Sequence, residues 1–142
     1  MKHFLLAGIH PELTEAEAEA VLGTRPEHRL GSLLIMDSPV WDGSILQERL
    51  AGTVKLGDIL FEMTDTPELT ELAARIADEI DARPRADRVL FGLTIFGSPK
   101  EKNALKKLPI ELKRALQDRD RSVRWVTGDK GEISPAAVAK LK

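Results

Sequence analysis

The residues best suited to chemistry in this 142-residue chain are basic and clustered. Lys100, Lys102, Lys106, Lys107, Lys113 and Arg114 fall within fifteen positions, and Arg121 and Arg124 bracket Ser122 shortly afterwards. Just before them, Gly97-Ser98-Pro99 has the composition of a strand-to-helix turn. A helix N-terminus there offers unpaired backbone amides and the positive end of the helix dipole, and the Ser98 hydroxyl adds a further donor. Ammonium and guanidinium groups gathered around such a turn read as contacts to phosphate. Lys106 with Lys113, and Lys107 with Arg114, are seven apart, a spacing that shares one face of a continuous helix. Trp125, next to Arg124, has two readings. It could stack a base at the end of a single strand, but packing is the commoner fate of a lone Trp on a strand.

Other chemistries find little support. With no cysteine there is no disulfide, thiolate metal site or cysteine nucleophile. His3, His10 and His28 lack the spacing of a helical metal pair, and His3 and His28 are expected beside a chain end or in a loop. No Gly-x-Ser-x-Gly elbow exists. Carboxylates are plentiful in the first half, but they fall in first helical turns or on wet faces rather than as a hydrolytic pair. Phe91-Gly92-Leu93 and Phe96-Gly97-Ser98 match neither a dinucleotide fingerprint nor a phosphate loop. The chain by itself therefore reads as a binding module with no catalytic residues, no metal and no cofactor of its own.

The net charge of −2 conceals a split. Residues 1–82 carry 6 basic and 16 acidic side chains, whereas residues 83–142 carry 15 basic and 7 acidic. Only the second half has reason to meet a polyanion. Apolar residues make up 42% of the chain, enough for a core, and no apolar run approaches the roughly 20 residues that span a bilayer. The N-terminus lacks a signal-peptide pattern, so the cytoplasm is the expected compartment.

The elements that must position the basic residues follow from periodicity and punctuation. Residues 3–8 read as a strand and 13–22 as a helix with a Thr14/Glu17 capping box, stopped by Gly23. Residues 33–36 form a second strand, paired with residues just after Pro26. A short helix begins at Asp42 or Ser44, runs through Leu50 and ends on a left-handed Gly52. Residues 53–63 are strand-like, with Gly57 as a bend or bulge. Strands alternating with short helices over this stretch give a small ferredoxin-like unit. Asp65-Thr66-Pro67 is the internal boundary, with Thr66 as N-cap and Pro67 in the first turn. Leu69, Leu72, Ala73, Ile76, Ala77 and Ile80 then form one buried helical stripe. Residues 89–96 read as a strand covered on both faces. Helices over 100–108 and 110–116 are separated at Pro109, with one seam through Leu105, Leu108, Leu112 and Leu116. A strand over 122–127, a turn at Asp129-Lys130-Gly131 and a helix opened by Ser134-Pro135 complete the chain, whose end reads as a cut. The fold class is α+β, with modules over 1–64 and 65–142.

Six short segments along the chain resemble a known family. Gly8-Ile9-His10-Pro11-Glu12-Leu13-Thr14-Glu15-Ala16-Glu17 and 49–57 (RLAGTVKLG) are similar to the N-terminal region of THUMP-containing tRNA guanine methyltransferases. Residues 91–97 (FGLTIFG), Glu111-Leu112-Lys113, Arg121-Ser122-Val123-Arg124 and 133–138 (ISPAAV) resemble the THUMP stretch of the same family. The resemblance implies a ferredoxin-like module followed by a THUMP-like α/β module whose last strand is missing. It also implies that the module grips the acceptor stem and single-stranded end of tRNA. Methylation would then fall to a domain of the same polypeptide that binds S-adenosylmethionine, and the family's catalytic Pro-Pro-aromatic motif has no counterpart here. On this reading Ser98, Lys100, Lys102, Lys106, Lys107, Lys113, Arg114, Arg121 and Arg124 contact RNA. The rival expectation is a non-enzymatic assembly domain in which acidic and basic halves find complementary partners. A complete small hydrolase is the third and weakest.

Overall fold

A computed structural model describes residues 1–39, 41–65, 67–83 and 88–126. The chain is mixed α and β and divides into two compact units, Met1–Met63 and Thr64–Lys142. No helix among the described residues is long and apolar enough to cross a membrane.

In the first unit the elements run β1 (Lys2–Ala7), α1 (Pro11–Leu22), β2 (His28–Leu30), β3 (Leu33–Asp37), α2 (Gly43–Arg49) and β4 (Thr53–Asp58). The four strands form an antiparallel sheet in the order β2-β3-β1-β4. Alternation in β1 buries His3, Leu5 and Ala7, and in β3 it buries Leu34 and Met36. Leu5 stands opposite Leu34 on one side and Leu56 on the other, which sets the register of the core face. Ala18 of α1, with Leu46 and Leu50 at α2, closes that core. Each fully buried Leu or Met contributes roughly 2 kcal/mol. Gly23 ends α1 at φ 70°, its N–H donating to the Glu19 carbonyl at 2.9 Å. Asp42 caps α2, accepting from the amides of Ser44 and Ile45, and the Ser44 hydroxyl first, then these amides, hold its carboxyl below the ordinary aspartate value.

Four local expectations in this unit are corrected. Helix α1 starts at Pro11, so Thr14 and Glu17 lie inside it and form no capping box. Gly52 is not left-handed. A Cβ there would stand 2.7 Å from Thr14 Oγ1, so this glycine permits close approach instead. Gly57 sits under the Phe4 ring, where a Cβ would lie 2.8 Å from it, and the register irregularity falls between Leu6 and Ala7 of β1. Only 53–58 of the expected 53–63 strand is extended in the sheet.

The second unit contains α3 (Leu69–Asp81), β5 (Val89–Phe91), α4 (Pro99–Ala104), α5 (Leu108–Gln117) and β6 (Val123–Trp125). Strands β5 and β6 pair in parallel, a connection that requires the crossover which α4 and α5 provide. The α3 stripe packs as its periodicity predicts: Ala73 and Ala77 are buried, with Leu69, Leu72, Ile76 and Ile80 around them. Leu108, Leu112 and Leu116 of α5 complete the cluster with Val89, and Leu105 packs against it. Pro109 occupies the second position of a fresh helix, where its missing amide costs no hydrogen bond.

The 89–96 strand is shorter than expected and is not covered on both faces. Among the described residues only Val89–Phe91 has a ladder partner, and Leu90 remains 44% exposed. Helix α3 begins at Leu69 behind Glu68, so Pro67 precedes it, and Thr66 lies outside the described residues. The turn at Asp129-Lys130-Gly131 and the helix from Ser134-Pro135 also lie outside them.

Candidate nucleic-acid interface

The turn before α4 forms the cap that its sequence allows, but with its own occupant. Ser98 Oγ accepts from the Glu101 amide at 3.3 Å, and Glu101 Oε2 accepts from the Ser98 amide at 2.6 Å. Gly97, at φ 148°, leaves room for this, since a Cβ would meet Glu101 Oε2 at 2.8 Å. The Ser98 side chain and then its backbone hold the Glu101 carboxyl below its ordinary value. Ser98 therefore accepts a bond from its own helix, and a carboxylate stands where a phosphate was expected. An anionic or dipolar cofactor would have to displace Glu101.

The cations distribute over three environments. Lys100, Lys102, Lys106, Lys113 and Arg114 are exposed on α4, the 105–107 turn and α5. Around α5, Lys113 and Arg114 flank exposed Ile110 and Gln117, on the side away from the buried Leu108–Leu112–Leu116 seam. Because the helix breaks at 105–107, the two seven-apart pairs do not lie on one continuous helix. Arg114 Nη1 donates to Glu111 Oε1 at 2.9 Å, an exposed pair of small energetic weight. Lys107 is set apart from the others. With Glu68 and Glu111 it lines a cleft of about 440 Å³ whose apolar walls include Pro67, Leu69 and Leu105.

Arg124 and Arg121 leave this surface. On β6, Val123 faces the core shared with α3 and α5, so Arg124 exits on the opposite face of the strand pair. Arg88, missed by the sequence reading, joins it there: it donates from Nε to Ser122 Oγ at 3.4 Å, and alternation puts it beside Leu90 and Arg124. Its place two residues before an outward position of a strand was the available signal. Arg121 is 8% exposed and ion-paired with Asp81 at 3.4 Å. The Arg121 Nη1 and Asp81 Oδ1 atoms make no aligned hydrogen bond, so this contact is chiefly coulombic. Arg119 extends the network to Asp78 at 2.6 Å, Asp81 at 3.5 Å and the Ala74 carbonyl at 3.2 Å. Arg121 is thus a strut between α3 and the start of β6, not a surface contact.

In the first unit, the two segments 8–17 and 49–57 come together. Gly8 N and Thr14 Oγ1 both donate to the Gly52 carbonyl at 2.9 Å, while Glu17 accepts from the amides of Ala51 and Gly52 at 2.9 Å each. These side chains clamp the turn that leads into β4. His3, expected near a chain end or loop, is buried in β1. Its ring stacks on Trp41 at 4.0 Å and its Nδ1 is 2.9 Å from Asp58 Oδ1. No group of three His, Cys, Asp or Glu able to hold a metal occurs among the described residues. No protein-family model, curated protein or solved structure matches the chain.

Proposed function

We propose that the second unit binds RNA through the exposed basic surface of α4, the 105–107 turn and α5, as the tRNA-recognition part of a methyltransferase. One observation carries this reading. Residues 98–117 hold six basic and two acidic side chains, and both acids are engaged within the segment, Glu101 by the Ser98 cap and Glu111 by Arg114. Lys100, Lys102, Lys106 and Lys113 therefore face solvent with little local compensation, an arrangement that favours a phosphate backbone. Trp125 adds support: at 38% exposed it stands at the carboxyl end of β6, where its face can stack a base at a single-stranded end. Arg88 and Arg124 serve a separate contact, because they leave the opposite face of the layer.

A ferredoxin-like arrangement is the reading for the first unit. Its support is the β-α-β-β-α-β element order together with the strand order β2-β3-β1-β4 and wholly antiparallel pairing. In this proposal the methyl transfer belongs to a domain that binds S-adenosylmethionine elsewhere in the polypeptide, and the present residues only hold and orient the RNA.

The test is a titration of a tRNA acceptor-stem minihelix against the 142-residue chain over a salt series. Lys106→Glu with Lys113→Glu is expected to weaken binding strongly and to flatten the log–log salt slope by roughly 0.7–0.9 for each lost contact. Unchanged binding at low salt overturns the assignment. Arg121→Met, by contrast, should leave the slope as it is.

A further inference from the structure

The cleft at the start of α3 joins two carboxylates, one ammonium and apolar walls, a combination that plain backbone binding does not require. Pro67, Leu69 and Leu105 give it flat apolar surface, Glu68 and Glu111 present acceptors, and Lys107 is the one cation among its described lining residues. Glu111 gives Oε1 to Arg114, which leaves its second oxygen available. Glu68 precedes the first turn of α3 and makes no side-chain capping bond. Two carboxylates disfavour a phosphate alone, and the apolar walls offer a small hydrated cation no ligands. The ligand must therefore carry an anion at one end and hydrogen-bond donors at the other, with an apolar body between them.

We infer that this cleft holds a single unstacked nucleobase bearing an exocyclic amine. The amine donates to Glu68 or Glu111, the ring lies against Leu69 and Leu105, and the adjoining phosphate meets Lys107. Carboxylates read amino groups on base edges in this way, and apolar walls accept an extruded base. Acceptors, one ammonium and apolar walls in one cleft are complementary to such a base with its phosphate. This rests on the RNA-binding reading, and makes the cleft its base-reading element while the exposed lysines outside it hold the backbone.

The experiment compares two pyrimidine probes of equal size, hexacytidylate and hexauridylate, by fluorescence anisotropy on the whole chain. Uracil lacks the amine, so the cytidylate is expected to bind about tenfold more tightly. In Glu68→Ala with Glu111→Ala the ratio should fall to about one, even though removing two negative charges raises both affinities. Lys107→Ala should weaken both probes and keep the ratio. Trp125 fluorescence checks that each variant is folded. Equal affinities for the two probes, no binding of either, or a ratio that survives in the double variant would each overturn the inference. The minihelix titration with Lys106→Glu and Lys113→Glu stands separately: if it behaves as expected while the hexamers do not discriminate, only the base site fails. If no RNA binds at all, both fail.

Discussion

Arg121→Ala separates a structural from an RNA-contacting role at the one cation where sequence and structure point different ways. Removing one member of a buried ion pair costs about 3–5 kcal/mol when the other is left unpaired. Here Asp81 keeps Arg119 at 3.5 Å, and its side chain is 30% exposed, so the cost should lie below that range, at about 2 kcal/mol. With a urea dependence of about 1 kcal/mol/M for a small unit, the midpoint should move down by about 2 M. Trp125 reports on the second unit and Trp41 on the first, and these are the chain's two tryptophans. The shift should therefore appear in the Trp125 signal and leave the Trp41 transition in place. Adding Asp81→Ala should recover part of the loss, since part of the cost is a half-buried Asp81 charge left with Arg119 alone. RNA affinity below the transition should be that of the parent chain. An unchanged midpoint together with weakened RNA binding would refute the strut and return Arg121 to the phosphate-binding set.

Further predictions follow from the same contacts. Gly52→Ala brings a Cβ to 2.7 Å from Thr14 Oγ1 and 3.3 Å from Glu17 Oε2, so it should destabilise the first unit by about 1–3 kcal/mol in a Trp41-monitored melt, and Thr14→Ala should relieve part of this. The Glu101 carboxyl titrates below its ordinary 4.5, so its capping contribution is complete above that pH and is lost as the pH falls through the lower folded value. The Ser98 amide resonance should move over that acid range, and in Glu101→Gln it should not. His3→Ala removes the ring stacked on Trp41 and should shift Trp41 emission while lowering stability by about 3 kcal/mol, read by urea unfolding.

What was legible in the sequence is what neighbours along the chain decide. The α3 stripe at Leu69–Ile80, the Leu105–Leu116 seam and the restart at Pro109 follow from helical periodicity and a missing amide. Gly23 and Asp42 act within one turn of their own positions, so they too were readable. The Ser98–Glu101 box obeys the same logic, yet its consequence was missed: a residue three positions on, not a ligand, fills the helix N-terminus. The clustering of exposed lysines around α4 and α5 is likewise a sequence property, since the leucine seam leaves them only the outer face.

Contacts between distant segments were decided by the fold alone. Thr14 and Glu17 carry the pattern of a capping box, but the Thr14 hydroxyl donates to the Gly52 carbonyl and Glu17 accepts from the Ala51 and Gly52 amides, more than thirty positions away, and the β1–β4 pairing brings those backbone groups within reach. His3 acquires Trp41 and Asp58 through the sheet register, and Arg121 acquires Asp81 because α5 returns the chain to the end of α3. The sequence by itself thus determined the helices, their buried stripes and the uneven charge, because each depends on spacings of a few residues. Only the tertiary structure decided which cations remain free for a ligand. That depends on solvent access and on an opposite charge arriving from elsewhere in the chain, and neither is encoded in local spacing.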